Sequence, residues 1–175
     1  AVKDLNLKRF AVVYDGSTRA FTETLLNYFT KTLLANGGQI ASAEEFISQP
    51  NVHFSPITDR LLKTNPEGVL LLSNATDTAL GAQQIRKPGG TVALFSAEWA
   101  FTTDLLSLGD RAVNGMTSFH SFNANSQEAP YLAFKQKFSK RFGYEPSVAT
   151  VLAYDATTYL FAGLENNPAR NGLKN

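Results

Sequence analysis

Three short runs, residues 10–14 (FAVVY), 69–72 (VLLL) and 92–95 (VALF), are apolar without alternation. Uninterrupted runs of this length predict strands buried on both faces of a parallel sheet, with helices above and below. After the first run, Phe21, Leu25, Tyr28 and Leu33 recur at near-helical spacing, and the pattern stops at Gly37-Gly38, where glycine can take the left-handed conformation that ends helices. A weaker strand, Gln39–Phe46, leads through a turn at Pro50 to a helix around 57–63, stopped by Asn65-Pro66. The third strand precedes a helix over about 76–87, ended by Pro88-Gly89-Gly90; the fourth feeds a short helix around 101–108, and 113–119 reads as a fifth strand. Counted from Phe10, Gln39, Gly68, Thr91 and Val113, the strand starts lie 29, 29, 23 and 22 residues apart. Each gap has room for a helix, so the strands pair in parallel and the body is a doubly wound α/β sheet.

Past Phe119 the alternation ends. A polar stretch, 121–128, precedes two helices with no further strand. Tyr131, Phe134, Phe138 and Phe142 form one stripe at intervals of 3, 4 and 4, with Lys135, Lys137, Lys140 and Arg141 mainly on the solvated faces. The second helix, 147–164, is apolar nearly all round apart from Asp155 and threonines, so it is expected to be covered by protein, and nothing earlier in the chain obviously covers it.

With 175 residues, 43% of them hydrophobic, the chain has enough apolar material for one compact domain, or one domain and part of a second, and disorder is excluded. Sixteen Lys and Arg against fifteen Asp and Glu leave a net charge of +1, too small a field to attract nucleic acid or an anionic membrane surface. The absence of cysteine excludes disulfides, zinc–thiolate sites, iron–sulfur clusters and thiol nucleophiles. His53 and His120 fit no HxxH or HExxH spacing, so neither a metal site nor a resident cofactor is expected. No apolar run reaches the ~18–20 residues of a bilayer span, and residues 1–8 contain no signal-peptide core. Dinucleotide, P-loop and α/β-hydrolase chemistry lack their GxGxxG, GxxxxGK[ST] and GxSxG elements, Ser17 has no histidine nearby in sequence, and Asp15 matches a phosphoryl-accepting aspartate only weakly. The chain is therefore not expected to be an enzyme.

Ligands of open α/β sheets settle outside the carboxyl ends of the strands. After the first strand comes Asp15-Gly16-Ser17-Thr18, a helix start suited to an anion or, equally, plain capping by Ser17 or Thr18. After the third comes Ser73-Asn74-Ala75-Thr76-Asp77, where capping explains only part of the run of hydrogen-bonding side chains. After the fourth comes Ser96-Ala97-Glu98-Trp99; a carboxylate beside an indole can bind an ammonium group, or Glu98 can decorate the next helix while Trp99 packs beneath it. An anion-seeking helix start and a cation-seeking glutamate on one rim suit a zwitterion such as an amino acid.

Residues 10–21 (FAVVYDGSTRAF), Val52-His53-Phe54-Ser55, Gly115-Met116, and Phe142-Gly143-Tyr144-Glu145-Pro146 followed by Leu152-Ala153-Tyr154-Asp155-Ala156 resemble, in order and spacing from Lys8 to Glu165, the type I periplasmic binding fold, Rossmann-like in its lobes. More narrowly, the chain is similar to the solute-binding proteins of branched-chain amino acid ABC transporters, the extracellular ligand-binding receptors. The resemblance implies two lobes that close on a small solute, an amino acid or related acid or amide, and deliver it to a membrane permease. It implies a second lobe at 7–118, a crossover at 119–126 with hinge residues Phe119, His120, Ser121 and Phe122, helices 127–165 that return to the first lobe, and a tail at 166–175. The signal peptide and most of the first lobe would precede Ala1, and the setting would be periplasmic or extracellular, with a lipid anchor as one option.

Glu98 falls where relatives that bind aliphatic amino acids place a glutamate on the ligand's ammonium group. Ser17 and Asn74 or Ala75 fall near positions where such proteins often carry tyrosines; this sequence has none there, so the resemblance does not carry leucine-like specificity with it, and related receptors bind aromatic acids, amides or other small solutes. The expected ligand contacts are Ser17, Thr18, Asn74, Ala75, Glu98 and Trp99. Without its first lobe, the apolar surface of 131–164 is expected to be buried by self-association or a changed helix arrangement. Two other readings stand beside this one: a ligand-sensing domain of a signalling receptor or regulator, and a flavodoxin-like phosphate-handling enzyme with phosphate at 16–19.

Overall fold

The computed structural model describes residues 2–166 apart from Pro88, and they divide between His120 and Ser121 into two compact units. The first unit carries a five-stranded sheet of β1 (Arg9–Asp15), β2 (Gln39–Phe46), β3 (Gly68–Leu72), β4 (Ala93–Ser96) and β5 (Thr117–Ser118). The strand order is β2-β1-β3-β4-β5, and every neighbouring pair is parallel. One turn of helix, α1 (Val2–Leu5), precedes β1, and the four connections carry α2 (Arg19–Ala35), α3 (Phe54–Leu62), α4 (Ala75–Arg86) and α5 (Thr103–Gly109). The fold is the doubly wound α/β sheet that the apolar runs predict.

Right-handed crossovers decide which face each helix takes. The chain steps from β1 outward to β2, then reverses past β1 to β3, β4 and β5. The reversal places α2 on one face and α3, α4 and α5 on the other. Alternation along β3, whose five residues are all buried, matches this: Val69 and Leu71 join Phe54, Leu61, Ala82, Ile85 and Leu105 in one core, while Leu70 and Leu72 join Leu25, Leu26 and Phe29 of α2 in the other. Phe10, fully buried, packs its ring 5.3 Å from Phe29 and 5.3 Å from Phe95, with Gly68 beside it in the sheet.

Two elements depart from their expected bounds. The pattern predicts a fifth strand over 113–119, but residues Asp110–Val113 coil into a 3-10 turn and Gly115 takes φ of 74°, so the chain enters the sheet only at Thr117. Val113 is apolar because it packs into the core from that turn. The helix expected from residue 57 begins at Phe54, which is buried against the sheet, and Pro56 lies in its first turn, where no intrahelical donor is lost. Four residues on, Thr58 is buried as well and donates its hydroxyl to the Phe54 carbonyl at 3.1 Å.

The second unit contains α6 (Ala129–Phe142) and α7 (Val148–Asn166). The aromatic stripe of α6 is continuous: Phe134 meets Phe138 at 5.8 Å and Phe138 meets Phe142 at 4.6 Å between ring centroids. Tyr154 of α7 reaches across to Phe134 at 4.2 Å, and Gly143, at φ 79°, ends α6 in the left-handed conformation. Along α7, Leu152, Tyr159 and Phe161 are exposed. Of the expected tail at 166–175, all but Asn166 lies outside the described residues.

Candidate functional site

β1, β3 and β4 are consecutive neighbours in a parallel sheet, so their carboxyl ends, with that of β2, open on one rim. Asp15 ends β1 and is buried, and a carboxylate without water needs protein donors. It has three: the Ser17 N–H at 2.9 Å, the Ser17 hydroxyl at 2.8 Å and the Ser48 N–H at 3.1 Å. Residues Gly16–Thr18 form a 3-10 turn before α2, and Asp15 caps it. The helix start that looked suited to a ligand anion therefore already holds the chain's own carboxylate, with Ser17 committed to it and Thr18 donating weakly to the Asp15 carbonyl at 3.4 Å. Capping is what the structure displays at Ser17, by Asp15 rather than by the hydroxyl.

At the tip of β3, Asn74 is the N-cap of α4 and its Oδ1 accepts the Asp77 N–H at 2.9 Å. Its Nδ2 donates to Asp77 Oδ2 at 2.8 Å and to Ser48 Oγ at 3.2 Å. The buried Asp77 also accepts the Ser48 hydroxyl at 2.5 Å. Ala75 opens α4 beside this cluster and packs partly against the core. Deeper in the rim, the Ser73 and Thr78 hydroxyls meet at 2.8 Å and Ser96 donates to the Leu71 carbonyl at 3.1 Å.

At the tip of β4, Glu98 opens the 3-10 turn Glu98–Ala100, half-buried, and its carbonyl accepts the Phe101 N–H at 3.0 Å. Trp99 turns onto the α2 face, where its indole packs against that core cluster and meets the Phe21 ring at 4.1 Å. The indole expected beside Glu98 in an ammonium site is thus engaged in packing as well.

Two further residues, Ser48 and Arg19, stand at the rim. Ser48 joins the tips of β1 and β3, a role invisible without the fold. Arg19, at the start of α2, donates to Glu45 Oε1 through Nη2 at 2.5 Å and lies 3.7 Å from Glu23. The Glu45 carboxylate raises the Arg19 pKa further above its ordinary value, by hydrogen bond first and by charge second. Burial, then the charges of Glu45 and Glu23, pushes the Tyr14 hydroxyl above its ordinary range, so it stays protonated. Among the described residues, the strand tips carry the carboxylates Asp15, Asp77 and Glu98; the first two are buried and held by the chain's own donors, and the nearby Arg19 guanidinium is engaged by Glu45 and Glu23.

The expected hinge residues fall at the division between the units. Phe119 is exposed, His120 stacks edge-on against Phe101 at 5.4 Å, and Phe122 meets Tyr131 at 5.0 Å within the second unit. A separate apolar groove of about 420 Å³ lies below the rim on the α2 face, lined by Tyr28, Phe29, Leu70, Phe95, Thr117 and Phe119. It exists because the crossovers place one long helix on this face of the sheet, leaving β4 and β5 open beside it.

Comparison with known proteins gives this arrangement its relatives. The structure resembles a leucine-binding protein of Thermotoga maritima with a TM-score of 0.88 and 25% identity, over 95% of this chain and 47% of that one. It resembles the branched-chain amino acid transporter substrate-binding protein of Streptococcus pneumoniae, solved with isoleucine, with a TM-score of 0.83 and 15% identity, over 98% of this chain and 48% of that one. A solute-binding protein of an ABC transporter from Rhodopseudomonas palustris, solved with 3,4-dihydroxybenzoic acid, matches with a TM-score of 0.73 and 21% identity, over 91% of this chain and 44% of that one. The chain thus spans about half the length of these proteins. A search of the curated proteins finds no match. The family model described as periplasmic binding protein covers residues 1–173, and the chain belongs to that family.

Proposed function

We propose that the chain is the second lobe of the extracytoplasmic solute-binding component of an ABC transporter, which takes a small amine-bearing solute of the amino-acid kind and delivers it to a membrane permease. The observation that carries this reading is the position of Glu98, a carboxylate at the carboxyl end of β4 on the rim of a member of the periplasmic binding family. A glutamate carboxylate at that position favours an ammonium group, through a charge-assisted hydrogen bond, over a carboxylate. Ser17, Thr18, Asn74, Ala75 and Trp99 form the rest of the wall around the solute. The solute's carboxylate is gripped by the other lobe, which closes over it about residues 119–126, and helices α6 and α7 return to that lobe. Most of the solute's buried surface then comes from lobe closure, so the lobe alone binds weakly. The role is non-enzymatic, and the setting is periplasmic or extracellular.

The test is a thermal-shift and calorimetric screen of the two-lobed protein and its Glu98→Gln variant, with L-leucine, L-isoleucine, benzoate and 3,4-dihydroxybenzoate as probes. The reading expects amine-bearing probes to bind the parent protein and to lose affinity in Glu98→Gln, while any binding of the benzoates persists. Equal loss for both classes, or none for the amines, removes the role of Glu98. No response to amine-bearing probes in the parent protein sinks the ligand class.

A further inference from the structure

Ser48 stands two residues past the end of the edge strand β2 and touches the tips of β1, its neighbour, and of β3, one strand further on. Its backbone N–H donates to Asp15 at 3.1 Å, and its hydroxyl donates to Asp77 at 2.5 Å while accepting from Asn74 at 3.2 Å. Asp15 and Asp77 are only 3% and 4% exposed, so each depends on protein donors instead of water. A serine hydroxyl has one proton and two lone pairs; here the proton serves Asp77 and a lone pair serves Asn74. Asn74 and Asp77 together cap α4, whose first residue is Ala75, while Asp15 caps the turn that carries Ser17 and Thr18. One residue from a third loop thereby ties both caps.

We propose that Ser48 is a positioning residue of the solute-facing wall, setting Asn74 and Ala75 at the β3 tip against Ser17 and Thr18 at the β1 tip. That it positions a solute site rests on the function proposed above; that it clips the two tips together does not. Its two arms are chemically separable. Replacing the side chain removes the hydroxyl bond to Asp77 and leaves the N–H bond to Asp15 in place, so the damage should fall on one tip only.

Amide hydrogen exchange followed by NMR on the 175-residue chain tests this with Ser48→Ala and Ser48→Thr. In Ser48→Ala, exchange at the Asp77 and Thr78 amides should speed up about tenfold, the scale of one lost hydrogen bond to a charged group, while Ser17 and the β3 amides keep their rates. Ser48→Thr, which retains the hydroxyl, should restore the protection. A purely structural contribution would accelerate all these amides together. Unchanged exchange at Asp77, uniform acceleration that includes β3, or failure of threonine to rescue would each overturn the clip. The two-lobed protein and its Ser48→Ala variant are then titrated with L-isoleucine. Several-fold weaker binding by the variant supports positioning, and equal affinity overturns it. Absence of binding by the unsubstituted protein counts against the proposed function and removes the positioning role with it, while the clip itself then stands or falls on the exchange rates.

Discussion

The Phe21 ring meets the Trp99 indole with centroids 4.1 Å apart and planes inclined by 64°, an edge-on contact between the first turns of α2 and the tip of β4. Phe21 is half exposed, so the pair sits at the border of core and solvent on the rim. Trp99 is the chain's single tryptophan, and its emission reports this border directly. Phe21→Ala should shift Trp99 emission to longer wavelength by admitting water to the indole edge, and should lower stability by about 1 kcal/mol, the scale of an aromatic pair. Fluorescence during urea unfolding measures both; unchanged emission would place the indole's environment elsewhere.

Gly68 and Gly143 separate two ways in which a glycine is needed. A methyl group at Gly68 would run into the ring of the fully buried Phe10, whereas nothing stands near Gly143, whose constraint is its φ of 79°. Gly68→Ala should cost roughly 1–3 kcal/mol through overpacking. Gly143→Ala should cost about 1–2 kcal/mol through left-handed backbone strain alone. In a Phe10→Leu background, which removes the ring, the Gly68→Ala penalty should shrink while that of Gly143→Ala stays. Equal penalties in both backgrounds would refute the steric account.

Glu67 ties the chain ahead of β1 to the start of β3 by accepting the Lys8 N–H at 2.5 Å and the Arg9 N–H at 2.8 Å. These two backbone bonds, the Lys8 one first, hold its carboxyl below the ordinary glutamate value. Because the folded pKa is the lower one, the stabilisation is fully present above the unfolded pKa and disappears as pH falls through the folded one. Melting temperature followed against pH should therefore place Glu67→Gln below the parent protein at neutral pH, with the two curves converging in acid. Parallel curves down to the lowest pH would exclude the linkage.

On α7, Tyr159 is 80% exposed, with Phe161 and Leu152 also exposed on the same helix. An apolar surface of this extent is seldom left in water. The 175-residue chain on its own should therefore sediment as a concentration-dependent oligomer, and charged replacements at Tyr159 and Phe161 should shift it toward monomer. A monomer at high concentration with these rings accessible would contradict the expectation.

Much of the first unit is legible in the order of its residues. Residues 10–14 and 69–72 read as double-buried strands because burial on both faces forces continuous apolar sequence, and the even spacing of strand starts leaves helical connections as the economical solution. The stripe at Tyr131, Phe134, Phe138 and Phe142 reads as one helix face for the same local reason. The fifth strand is shorter than its pattern suggests, since an apolar Val113 looks alike in a strand and in a turn packed on the core.

Propensity, periodicity and capping are short-range, so sequence alone determined which segments become strands and helices, that the sheet is parallel, and which strand tips carry polar residues. The tertiary structure alone decided the partners. Ser48 finds Asp15 and Asp77 across 33 and 29 residues, and Trp99 finds Phe21 on the α2 face, only because the chain reverses direction after β2 and brings separate crossovers to one rim. Those contacts are set by the order of strands in the sheet, and no local pattern encodes that order.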